Sequence, residues 1–133
     1  MKRRKLIHII IQMMIFTITF MMSKNLFQDV YLFKWTSDRC YLYIWIVVLL
    51  LTYLGKYKIS YAITISNIIG LFLGQYLGDY IVILNQTKIT SNMSAEDIYR
   101  LSKHPGVLIW FICITLSIFL VLLINSLDRR KLR

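Results

Sequence analysis

Residues 59–84 read ISYAITISNIIGLFLGQYLGDYIVIL. The stretch holds no Lys or Arg and one acidic residue, Asp79. As a helix it is about 39 Å long at 1.5 Å per residue, more than the roughly 30 Å of a bilayer's hydrocarbon core. Every fourth position along it is small: Ala62, Ser66, Gly70, Gly74, Gly78. Three of the chain's five glycines stand in this row. Glycine at spacing four lets helix backbones approach closely, so dispersion and weak Cα–H···O contacts act where lipid gives no hydrophobic drive. The row drifts by about 40° per step and predicts a partner helix crossing near −40°. The contact can lie within one subunit, and the expectation here is that it lies between subunits.

A second row lies beside the first: Asn67, Leu71, Gln75, Asp79. Polar groups inside a membrane are costly unless paired, and they mark either helix–helix attachment or a polar path. Asn67, Gln75 and Asp79, joined by His104, are therefore the candidate polar path. By topology the basic residues nearest Asp79 are Lys103 and His104. His104 precedes Pro105 and also reads as a solvated loop residue.

Outward from this span, three more apolar runs appear, at about 6–22, 41–57 and 107–127. The second is the shortest and reaches Tyr57 only if Lys56 and Lys58 snorkel to the headgroups. None shows the in/out alternation of a barrel strand, so helices must satisfy the backbone in lipid. The fold class is an all-α integral membrane protein, residues 1–133 forming a single four-helix transmembrane domain. Hydrophobic residues make up 58% and charged residues 17%, against about 45–50% and 25% in soluble domains. That balance excludes a soluble enzyme and a disordered tail. Two cysteines exclude a disulfide scaffold.

Orientation follows from the lysines and arginines. Lys2, Arg3, Arg4 and Lys5 precede the first run. Lys56 and Lys58 lie between the second and third. Arg129, Arg130, Lys131 and Arg133 follow the fourth. These ten stand in tight clusters, while the other six (Lys24, Lys34, Arg39, Lys88, Arg100, Lys103) are spread over two longer loops. Both termini are thus expected in the cytoplasm, with loops 23–40 and 85–106 outside. The N-terminal run lacks small residues before Ser23 for a signal peptidase and reads as an uncleaved anchor. With 22 Ile, 20 Leu and two Ala, the composition points to an AT-rich bacterial genome, hence the bacterial cytoplasmic membrane. The formal net charge of +10 fits anionic lipid at the cytoplasmic face better than nucleic acid, because the basic clusters flank spans.

The first outer loop carries Phe27, Tyr31, Phe33 and Trp35 and predicts a re-entrant or surface-lying segment. In the second, Ser94 with Asp97 three residues on is a variant capping box for a short interfacial helix, ended by Pro105 and Gly106. His8 and Gln12 share one face of the first span and can bind a neighbouring helix. Cys40 and Cys113 read as unpaired thiols, the latter a small packing residue. Two His and two Cys in distant places make no metal site. No P-loop, zinc-protease or hydrolase-elbow motif appears, and no cofactor is implied.

Three functions compete. The expectation is a non-enzymatic subunit or accessory protein of a membrane complex, associating through the glycine row as a homo-oligomer or with another membrane protein. The alternative is a homo-oligomeric channel or small transporter along Asn67, Gln75 and Asp79. The weakest is a membrane-embedded enzyme at the outer surface around Asp79 and His104; a Ser102, His104 and Asp79 set can be assembled, but any chain with these residue types allows one.

Overall fold

Gly55 and Pro105 stand at two of the five breaks between helices. The computed structural model of the chain describes residues 2–131 and is helical throughout, with no strand among them. Arg133 of the C-terminal basic cluster lies outside the described residues. The helices are α1 (Lys2–Asn25), α2 (Tyr31–Arg39), α3 (Tyr41–Tyr53), α4 (Tyr57–Gln86), α5 (Ala95–Ser102) and α6 (Gly106–Lys131). Within α1, α4 and α6, segments of 23, 30 and 23 residues are long and apolar enough to cross a membrane.

The second run behaves differently from the expected span 41–57. Its helix α3 has 13 residues, about 20 Å at 1.5 Å per residue. Gly55, at φ +77°, ends it. The Gly55 N–H donates to Thr52 O at 3.0 Å and the Lys56 N–H to Leu51 O at 2.9 Å. This paired closure of the last turn requires a left-handed residue, which glycine adopts without a Cβ penalty. Tyr57 therefore opens α4 instead of prolonging α3.

The loop between the first and second apolar runs contains a helix, α2, that is wedged into the molecule. Leu32 and Phe33 are buried against Leu71 of α4 and Trp110 of α6. Beside them Phe27 stacks on Phe33, and Phe72 meets both rings edge-on, its centre 5.1 Å from that of Phe33. At its other end Asp38 pairs with Lys24 at the close of α1. The segment is thus inserted between the long helices, which bury its apolar side chains.

Helix α4 is central: α1 runs parallel to it, with His8 at Tyr61 and Gln12 at Thr64, and α6 runs antiparallel to it, with Asn67 at Trp110. Lys5 of α1 lies over Tyr53, and Phe16 packs on Tyr41, so α1 and α3 are antiparallel. Thr52 and Ser60 join α3 to the start of α4. Lys58 reaches Asn125 near the end of α6. One end of the molecule therefore gathers the start of α1, the α3–α4 turn and the end of α6. Helix α6 packs on α4, yet none of its Cα atoms comes within 8 Å of one in α3. Between α4 and α6 Ser94 caps α5: its Oγ accepts the Asp97 N–H at 3.2 Å. Asp97 answers with its carboxylate, which accepts the Ser94 hydroxyl at 2.6 Å, so the box closes side chain to side chain.

Candidate functional site

The small row of α4 faces α6 of the same chain. A Cβ on Gly74 would stand 2.7 Å from Gly106 O and 2.7 Å from Leu32 Cδ2. On Gly70 it would meet Trp110 Cδ1 at 3.1 Å and Cys113 Cβ at 3.2 Å. On Gly78 it would fall against the His104 ring. Ser66 accepts the Ser117 hydroxyl at 2.9 Å, and Ala62 is half-buried. Close approach at Gly74 also needs Gly106, whose own Cβ would lie 2.8 Å from Gly74 O. In the sequence Gly106 signals only a helix start; its facing glycine is a tertiary fact.

The second row divides in two. Asn67, 1% exposed, accepts the Trp110 indole N–H at 3.0 Å. Leu71 is fully buried between it and the next polar residue. Beyond Leu71, four hydrogen bonds form a chain. Gln75 Oε1 accepts the Leu32 N–H at 2.7 Å, at the start of α2. Gln75 Nε2 donates to Asp79 Oδ2 at 2.8 Å. His104 Nε2 meets Asp79 Oδ1 at 3.1 Å. The Gly106 N–H, at the start of α6, donates to His104 Nδ1 at 3.0 Å.

The last bond fixes the imidazole. Since Nδ1 accepts, Nε2 carries the proton and donates to Asp79. Pro105 is the local cause: the residue before proline is driven to extended backbone, so the ring of His104 folds back over the first free N–H of α6. His104 is therefore no solvated loop residue; its side chain is 12% exposed while that of Asp79 is 57% exposed. The carboxylate sits where the unpaired amides of two helix N-termini, α2 and α6, converge on it through one side chain each. Negative charge is favoured at such ends.

This arrangement clamps α2, α4 and α6 together. It leaves neither imidazole nitrogen free to take a proton from a substrate, which a general base must do. Ser102 does not join it, because its hydroxyl donates to Ile98 O at 2.8 Å and Tyr99 O at 3.1 Å within α5.

A third polar group lies at the opposite end and was visible in the sequence only in part. Gln12 Oε1 accepts the Thr64 hydroxyl at 2.6 Å, and Gln12 Nε2 donates to Ser60 Oγ at 3.2 Å. Ser60 and Thr52 share a bond of 2.6 Å. All four are buried and join α1, α3 and α4. His8, one turn before Gln12, meets the Tyr61 hydroxyl at 3.0 Å. The spacing of Ser60 and Thr64 at i, i+4 was the available signal. Cys40 and Cys113 are unpaired, and no group of three metal-ligating side chains occurs among the described residues. Comparison with protein-family models, curated proteins and solved structures finds no match for the chain.

Proposed function

We propose that the chain is a small, non-catalytic, four-span protein of a bacterial cytoplasmic membrane that serves as a subunit or accessory of a larger membrane assembly. In this reading α2 and α3 together make the fourth crossing, and the basic ends of α1 and α6 lie in the cytoplasm. The polar side chains between its helices support a binding role, since they satisfy one another. A conducting path along Asn67, Gln75 and Asp79 finds less support, because Leu71 fills the gap between them.

The observation that carries the proposal is Tyr76. It lies about 7 Å from the middle of α4 at 1.5 Å per residue. It is 75% exposed, and its hydroxyl has no hydrogen-bond partner among the described residues. A hydroxyl left unpaired in an apolar medium costs about 2–7 kcal/mol. The residue stands about 200° around the helix from Gly74, so α6 cannot cover it. With Ile65, Ile69, Phe72, Tyr80 and Ile83, all exposed, it forms a seam with the spacing of a helix–helix contact. The glycine row is occupied by α6, so the partner's place falls on this opposite face instead.

A photoreactive phenylalanine analogue at position 76, in intact membranes, tests the proposal. The expected result is a discrete protein adduct, abolished when the analogue is moved to Leu123 on the outer face of α6. Adducts to lipid alone, together with a monomeric particle in mild detergent, would sink the reading.

A further inference from the structure

Helices α3 and α6 both lean on α4 and stay apart from each other, and the space between them is a cavity of about 1010 Å³. That is at the upper end of small-molecule sites, about 300–1,000 Å³. Trp35, Ile44, Leu108, Trp110, Phe111 and Ile114 line its apolar part. Arg100 and Lys103 line its mouth, beside His104, and no Asp or Glu lines it. Arg100 does hold Glu96 at 2.6 Å, but both side chains are more than two-thirds exposed, where such a pair contributes little. Lys103 has no carboxylate within 4.0 Å among the described residues.

We propose that this groove seats an acyl chain of an anionic glycerophospholipid, with the lipid phosphate held by Arg100 and Lys103. The walls select a chain and not a soluble anion, because a water-borne phosphate gains nothing from six apolar side chains. They also disfavour a transmembrane helix as occupant. Helix contacts in lipid use small residues, and this lining has none of Gly, Ala or Ser. The paired cations at the mouth choose an anionic headgroup over a zwitterionic one, as basic side chains at a membrane surface do. The site needs only that the chain lie in a bilayer. It is independent of the assembly read from Tyr76, so either can fail alone.

The tryptophans make it measurable. Trp35 and Trp110 line the groove, while Trp45 packs on Phe16. Trp45→Phe gives a reporter background, keeps an aromatic ring against Phe16 and breaks no hydrogen bond, since the buried Trp45 N–H lacks a partner. The full chain is placed in phosphatidylcholine vesicles with a small fraction of bromine-labelled phosphatidylglycerol or bromine-labelled phosphatidylcholine. Phosphatidylglycerol should quench at a roughly ten-fold lower mole fraction. Arg100→Gln with Lys103→Gln should remove that preference and leave the phosphatidylcholine curve unchanged. Should the double variant lose its helical circular dichroism, Lys103→Gln alone, outside any helix, is expected to show a partial loss. Equal quenching by the two lipids overturns the proposal, and so does a preference that survives removal of the cations. Displacement by glycerol phosphate in the buffer also overturns it, since the site would then belong to a soluble anion.

Discussion

Gly74 shows how little room one position can leave. The Cβ of an alanine there would press on the Gly106 carbonyl, a backbone atom that cannot swing aside. Gly74→Ala alone should destabilise the protein by about 1–3 kcal/mol, the range for overpacking. Gly70→Ala should be milder, because its neighbours at 3.1 and 3.2 Å are side-chain atoms. Thermal unfolding in one detergent ranks the two, and equal midpoints would refute the ordering. Because α6 covers the row, neither variant should change the particle size in mild detergent. Asp79 offers a second test. It accepts from both Gln75 and His104. Asp79→Asn turns one acceptor into a donor and sets it against an N–H. The loss should be about 1–3 kcal/mol, seen as a lower unfolding midpoint. A midpoint equal to the parent's would show that the clamp holds nothing.

At the scale of elements, α2 is the informative one. It has nine residues, too few to persist alone in water, and depends on what it packs against. Gln75 supplies a partner for its first-turn amide, and Leu32 and Phe33 supply the apolar contact. Gln75→Leu should loosen α2 without unfolding α4. Cys40, half-buried at the junction of α2 and α3, reports this directly. Its rate of maleimide labelling should rise several-fold in Gln75→Leu, with the helical circular dichroism unchanged. An unaltered rate would mean that the apolar contact alone seats the helix. The aromatic loop in the sequence reads as a segment that would touch a membrane. What places it between the long helices is the room that Gly74 leaves for Leu32 beside α6, which no local signal encodes.

For the whole molecule, the arrangement is a row of helices around α4 more than a closed four-helix bundle. Helix α6 is held through the small residues of α4, the Trp110 contacts with Asn67 and α2, and the Asp79–His104 clamp. Topology can be read by single-cysteine labelling in a background lacking Cys40 and Cys113. Positions 30 and 90 should react from outside the cell, and position 56 only after the membrane is opened. A reactive position 56 in sealed cells would overturn the orientation drawn from the basic clusters.

Composition and run length determined the helical class and the apolar spans, because lipid demands satisfied backbones and apolar surfaces whatever the neighbours are. Pro105 and Ser94 determined a break and a cap, since these act through a missing N–H and a nearby hydroxyl, whereas the stop at Gly55 goes unread when the second run is carried on to Tyr57. The small row was equally legible as a surface for close approach. Which helix it meets was not, because intrachain and interchain partners present the same demand to a glycine. The tertiary structure alone brought Gly106 to Gly74, Trp110 to Asn67, and Asp79 between two helix starts. It also showed His104 as a cap and not a loop side chain. Those pairings join residues 25 to 43 positions apart, and their geometry depends on how α4 and α6 cross, which periodicity along one helix does not contain.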